Sequence, residues 1–355
     1  MSQSEVEALL AKQVVYDGDD YSRKSLDEMV QGYTAKHQGS LKTLEELEKA
    51  HEQLGKEMTQ DLVEQKSAWE YLGKIFTFQE VGSNMKGLLE KVPVLRSLVP
   101  DRPLHTLLTE KVEVAQRRTQ EVGNYLDRIQ VEVQNLQEDI TRLNKKMVVA
   151  ARNEEAAALY VLELKQALEN AQKEAESIED KESARYRELQ STIDSVKHRF
   201  WEHGAKLRLY STAENRVASI IRMNNNFLEI LRNLHANMQS LYEAGNEVLS
   251  ELEGNLAALA SAAKASELSL DLEKAMESLR TSVNKVAVLA SETSLYLTQN
   301  VDRMTKEMRV YDEATEQLVE QNLAAERESQ EERIHETIAL AEKELKSFRE
   351  AKTGG

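Results

Sequence analysis

The residues of this chain that could do chemistry are few, and the most suggestive arrangement is Glu-x-x-His, which occurs as Glu48 with His51 and again as Glu332 with His335. Residues three apart share a helix face, so each pair could chelate one metal ion. Two such pairs with two further glutamates make the ligand set of a di-iron four-helix bundle. Frequency weakens the signal: acidic residues number 62 of 355, so the seven histidines should produce roughly one acid-x-x-His without any selection for it. His51 lies within an apolar stripe, where a histidine can set helix register, whereas His335 lies beside the stripe Ile334, Ile338, Ala341 and Leu345 and is expected to face solvent. The expectation is therefore no resident metal, with Glu48, His51, Glu332 and His335 as the candidates if one binds. His198 and His203, five residues apart, would stand about 140° apart around a helix, which is poor metal geometry. With Phe200 and Trp201 between them they mark a packed contact.

Other catalytic signatures are absent: there is no Gly-rich phosphate loop, no nucleophile elbow, no HExxH, and no strand pattern on which to mount them. With no cysteine in the chain, disulfides, thiolate metal sites and cysteine nucleophiles are excluded. No catalytic residue and no cofactor are expected. The formal net charge of −16 opposes association with phosphate backbones and anionic headgroups, so nucleic acid is not an expected partner. The basic doublets Arg117–Arg118 and Lys145–Lys146 are expected to be solvated helix faces. No basic region followed by an apolar one opens the sequence, and nowhere do about 18 apolar residues run together, so a cytoplasmic location is expected.

One segment stands apart. Trp69, Tyr71, Phe76 and Phe78 cluster within residues 69–100 of a chain that is otherwise poor in aromatics at 5%. They are candidates for a docking surface toward a partner helix or the periphery of a membrane, against the plainer expectation that they cap the end of a bundle.

The elements that must position these residues are long helices. Aromatics and prolines are scarce, charged residues make up 30%, and Ala, Leu, Glu, Gln, Lys and Arg dominate. All three prolines, Pro93, Pro100 and Pro103, fall in KVPVLRSLVPDRP; none follows Leu104, and no glycine lies between Gly123 and Gly204. Val122, Leu126, Ile129, Val133, Leu136, Ile140, Leu143, Met147 and Ala150 alternate spacings of four and three, the repeat of a coiled-coil seam. Glu154 interrupts that stripe, which resumes at Ala157, Val161, Leu164, Leu168 and Ala171. Further stripes run from Phe227 to Leu252, interrupted at Gly245, from Leu272 to Ala290, and from Leu44 through Leu47, His51 and Leu54 to Met58.

Reversals are expected at the proline segment, at ESIEDKES near residue 180 and at AALASAAKAS near residue 262; the alternative places breaks at Gly204 and Gly245. The fold class read from this pattern is all-α, an elongated antiparallel long-helix bundle with coiled-coil packing. Its parts are a short, partly flexible N-terminal segment over 1–20, an N-terminal helical region over 21–92, a Pro-containing loop over 93–103, a long-helix bundle over 104–350 and a frayed tail over 351–355.

The order of several segments resembles the toxic-anion (tellurite) resistance family of TelA-like proteins. They are KVPVLRSLVP at 91–100, VEVQNLQEDITRLNKKM at 131–147, the Asn-rich NNNFLEILRNLHANM and the charged QNLAAERESQEERIHETIALAEKELKSF. The N-terminal third carries no motif of that family. The resemblance implies a non-enzymatic cytoplasmic stress or envelope-resistance protein, with no active-site residues to transfer. The function expected is thus a helical interaction or scaffold protein whose protein partners bind coiled-coil surfaces, with peripheral membrane contact and homo-oligomer formation left open. The alternatives are an α-helical pore-forming toxin component, built on apolar residues near 255–263 or 286–301, and a di-iron helical-bundle protein.

Overall fold

The computed structural model describes residues 3–18, 22–77, 104–261, 265–325 and 330–353, with the side chains of 54–77, 104–108 and 311–325, among others, outside the description. Among the described residues there are six helices and no strand: α1 (Gln3–Ala11), α2 (Arg23–Thr77), α3 (Leu104–Glu176), α4 (Ala184–Ser261), α5 (Ala265–Ala325) and α6 (Gln330–Thr353). The protein is an all-α bundle of long helices. The loop expected at 93–103 and the reversal near 262 lie outside the described residues.

Helix ends follow local chemistry. Ser22 caps α2: its Oγ accepts from the Ser25 amide at 3.0 Å while Ser25 Oγ accepts from the Ser22 amide at 3.0 Å, so two orphan donors are satisfied reciprocally. The ESIEDKES stretch is the reversal between α3 and α4. Asp180 Oδ1 takes the Glu182 amide at 3.0 Å, and Ser183 Oγ takes the Tyr186 amide at 3.3 Å as the cap of α4. Helix α4 then runs unbroken through Gly204 and Gly245, so the alternative of shorter helices is not the one adopted.

The helices build two units, the first from 1–38, 136–226 and 306–355 and the second from 39–135 and 227–305. Helices α2 to α5 each supply residues to both. In the first unit, α3 and α4 run antiparallel: Leu143 shares a cluster with Ile220, Ala150 with Ala213, and Ala171 and Ala175 with Leu189. Alanines without exposed surface (Ala150, Ala157, Ala158, Ala167, Ala213) allow a narrow seam, and Tyr160, Phe200, Leu164, Leu207 and Val196 are buried within it. Helix α2 adds Leu26, Val30 and Tyr33, α6 adds Ala341 and Leu345, and α1 adds Val6 and Leu9. Burying each large side chain contributes on the order of 1.5–3 kcal/mol, so the stripe dictates the seam.

The second unit repeats the antiparallel α3–α4 arrangement, with Val112 against Leu252 and Gly123 beneath the Tyr242 ring. Helix α5 runs back along α4: Glu251 accepts from Ser278 and Ser282, and Glu247 pairs with Lys285 at 2.8 Å. The stripe positions Leu44, Leu47, Leu231, Leu234, Met238 and Leu241 are all buried, as are Val286 and Ala290.

Two glycines of α4 mark close approaches. A methyl group at Gly204 would sit 2.8 Å from Thr337 Cγ2, and one at Gly245 would sit 2.9 Å from Thr119 Oγ1. Thr337 is buried and its Oγ1 accepts from Arg208 at 2.7 Å, so it has little freedom to withdraw. Substituting Gly204→Leu should therefore lower stability by about 1–3 kcal/mol. Gly39→Ala, whose new methyl meets nothing within 4 Å, should raise it by roughly 0.5–1 kcal/mol because glycine is a poor helix former. Urea denaturation midpoints of the two variants moving in the same direction would contradict this packing.

Candidate functional site

The sequence candidates divide between the two units. In the second, His51 of α2 is buried and its Nε2–H donates to the Ala290 carbonyl at 2.8 Å, which commits the nitrogen most metal sites would use. Burial lowers its pKa, partly opposed by that carbonyl bond, so the ring is neutral. Glu48, one turn earlier, accepts from Thr298 Oγ1 at 2.6 Å. In the first unit, His335 is exposed, while the Glu332 side chain lies outside the described residues. Among the described residues no group of three or more His, Asp or Glu gathers as metal ligands. Trp69, Tyr71 and Phe76 lie on α2 with side chains outside the described set, and Phe78 lies outside the described residues.

The chemistry-bearing side chains that the fold does bring together form polar layers within the first unit. His203 of α4 is buried: its Nδ1 lies 2.6 Å from Tyr16 Oη, and its ring meets Tyr160 of α3 edge-on with centroids 4.5 Å apart. Burial is the main cause that lowers its pKa to about 4, with the Lys206 cation second. His203 is thus neutral at pH 7 and hydrogen-bonded to the Tyr16 hydroxyl. Tyr210 stacks at a tilt on the other side of Tyr16, with centroids 5.2 Å apart, and burial raises the Tyr16 pKa. His198 is exposed. It lines an open cleft of about 940 Å³ together with Leu10, Tyr186, Arg187, Gln190 and Arg199.

A second layer sits at the stripe fault. Asn153 and Glu154 of α3 are both buried. Asn153 brackets the backbone of Asp17, accepting its amide and donating to its carbonyl, each at 2.8 Å. Glu154 meets Glu214 and Ser211 of α4, and its Oε1 has no hydrogen-bond partner. Burial pushes the Glu154 pKa up to about 9, helped by the hydrogen bond with Glu214 and opposed by that with Ser211. The Glu154 carboxyl is therefore protonated at neutral pH.

Three further contacts fix helix register. Arg216 reaches Asp27 at 2.6 Å, His37 Nε2 meets Asn224 Oδ1 at 2.6 Å, and Asp139 is held by Lys36 at 2.6 Å and by Arg142. Heptad counting shows none of the pairs between helices, because Asp27–Arg216, His37–Asn224 and Lys36–Asp139 each join residues more than 100 apart in sequence. The interruption at Glu154 was the one visible signal, and it marks a polar layer.

These layers hold the helices of an all-α bundle in register. Comparison with protein-family models, curated proteins and solved structures finds no match to this chain.

A carboxyl whose pKa is higher in the folded chain than in the unfolded one contributes stability that is complete at low pH and declines as pH rises from 4.5 toward about 9. Replacing Glu154 by glutamine removes that decline. The Glu154→Gln variant should be more stable than the parent by on the order of 1–3 kcal/mol at pH 8, with the two nearly equal at pH 4.5. Denaturation midpoints across this range check it; an unaltered pH slope in the variant would assign the effect to another group.

Proposed function

We propose that this chain is a non-enzymatic helical interaction or scaffold protein of the cytoplasm, similar in kind to the toxic-anion (tellurite) resistance proteins, working through protein partners on coiled-coil surfaces. The observation that carries the reading is the fate of the buried histidines: His37 is engaged by Asn224, His51 by a backbone carbonyl and His203 by a tyrosine. Side chains that elsewhere serve as bases or ligands are here spent on register. Surface apolar residues support a partner role. Val288 and Leu295 are 56% and 60% exposed and share one face of α5, two turns apart.

The second reading, a pore-forming helical component, draws on the same stretch of α5, because residues 286–301 carry a single charge, Glu292. No helix among the described residues is long and apolar enough to cross a membrane. A pore would therefore require several chains or an amphipathic insertion.

One experiment separates the readings. The parent and the Val288→Glu, Leu295→Glu double variant are compared by affinity capture from source cells and by dye release from anionic and neutral liposomes. Scaffolding predicts a defined set of partners lost or reduced at least fivefold in the variant, unchanged helicity, and no dye release. Release at micromolar protein, suppressed by the variant, would establish the pore instead. Stoichiometric iron or manganese in the purified chain would overturn both in favour of the di-iron bundle.

A further inference from the structure

Residues 3–18 are attached to the first unit by a short helix followed by polar contacts. Helix α1 places Val6 and Leu9 in the core formed by α3 and α4, and Leu10, Val14 and Tyr16 pack against its edge. After Ala11 the chain is not helical, and a run of polar contacts takes over. Tyr160 Oη donates to the Leu9 carbonyl at 2.8 Å, Lys12 pairs with Glu163 at 2.5 Å and lies 5.5 Å from the centre of the Tyr160 ring, Tyr16 meets His203, and Asn153 brackets Asp17. Gly18 then turns with φ of 82°, a left-handed conformation that disfavours side chains, over Val149. The turn closes the strap. Beyond α1 the apolar anchoring comes from the partly buried Val14 and Tyr16, so the polar contacts weigh heavily in whether residues 12–18 stay down.

We propose that residues 3–18 form a strap that is released from α3 and α4 by mild acidification, with the Tyr16–His203 contact as its latch and the apolar surface around Tyr160 uncovered on release. The proposal stands independently of the scaffold reading, since it rests on the first unit alone.

The latch works because His203 is neutral. In that state the ring carries a single N–H and no charge, and Nδ1 lies 2.6 Å from the Tyr16 hydroxyl. Protonation puts hydrogens on both ring nitrogens and a positive charge inside a layer already bearing cations. The groups that face His203 decide the sign. Helix α4 supplies Lys206 and Arg199, which disfavour a second positive charge, together with Glu202, which favours it, and Tyr210. Lys206 also lies 5.0 Å from the centre of the Tyr16 ring. Helix α3 presents Tyr160, and through it the Lys12–Glu163 pair. Helix α6 presents the uncharged Thr337 at the neighbouring Gly204.

With the strap down, burial and these cations hold the pKa of His203 to about 4, below the 6.5 of a free histidine. Lifting the strap hydrates the ring and lets its pKa move back toward 6.5. A base with a depressed pKa in the attached state favours attachment fully above pH 6.5 and loses that contribution as pH falls toward 4. The attachment constant thus falls by up to about tenfold per pH unit across that window. Glu154, raised in the opposite direction, stays protonated throughout and adds nothing to the acid response.

Because the chain has no cysteine, two can be introduced and labelled cleanly. The exposed positions Val15→Cys and Ala205→Cys carry spin labels, and their separation is read by pulsed dipolar spectroscopy from pH 7.5 to 4.5, with far-UV circular dichroism recorded in parallel. The expected result is a single short distance at pH 7.5, a growing long-distance population with a midpoint between pH 6.5 and 4.5, and helix content that stays within about a tenth of its starting value. In the same labelled chain, His203→Gln keeps a neutral acceptor for Tyr16 and should hold the short distance throughout. Tyr16→Phe should show the long population already at pH 7.5. A distance that does not change in the parent, a shift that persists in His203→Gln, or a shift that coincides with loss of most helix content would each overturn the proposal. Should His203→Gln fail to fold, the parent and Tyr16→Phe measurements decide the question alone.

Discussion

The close antiparallel approach of α3 and α4 is the constraint on which the rest of this structure depends. Alanines at 150, 157, 158, 167 and 213 present no exposed surface, so the two backbones can come near, and Tyr160, Phe200 and Leu207 are buried in the same seam. Other elements then dock onto an existing surface: α2 with Leu26, Val30 and Tyr33, α6 with Ala341 and Leu345, and α1 with Val6 and Leu9. A bulky residue in that seam would move every docking surface at once, which is why the small residues matter more than their own burial would suggest.

A seam of this kind specifies a pairing face but constrains sliding only weakly, since heptads shifted by one repeat bury nearly as much apolar surface. The polar layers remove that freedom. Slippage by seven residues would separate His37 from Asn224, Asp27 from Arg216 and Asn153 from the Asp17 backbone, leaving buried donors and acceptors unpaired at about 1–3 kcal/mol each. Glu154 belongs to the same set, and burial is met there by holding a proton, which removes the charge. The polar residues of the core are therefore devices of specificity more than of stability. That division of labour also explains why histidine chemistry is hard to find here: neutral, hydrogen-bonded imidazoles are what register requires, and their lowered pKa values follow from burial.

The Tyr16–His203 and Asp17–Asn153 contacts join a short terminal segment to the bundle, where Asp27–Arg216, His37–Asn224 and Lys36–Asp139 join one long helix to another. A long helix is held by buried apolar residues over many turns, so the loss of one polar pair is absorbed. A segment anchored by Val6, Leu9 and a few polar bonds has no such reserve. The same chemistry thus gives rigidity in one place and a small free-energy gap in another.

The sequence by itself determined the helical class and the faces that pair. Most positions of the stripes through Val122–Ala171 and Phe227–Leu252 are buried, with Ile140, Met147, Gly245 and Val248 half-buried, and the absence of proline after Leu104 allows helices of more than seventy residues in α3 and α4. It also located the reversal at ESIEDKES, since Asp and Ser there supply caps that no helix interior needs. The sequence left two matters to the tertiary structure. Whether Gly204 and Gly245 break α4 or let neighbours approach depends on Thr337 and Thr119, which lie about 130 residues away in the chain. Whether His51 and His203 are ligands or register residues depends likewise on Ala290 and Tyr16. Periodicity is a local property that survives reading one residue at a time. A partner across the bundle is chosen by packing, and packing exists only once the helices have met.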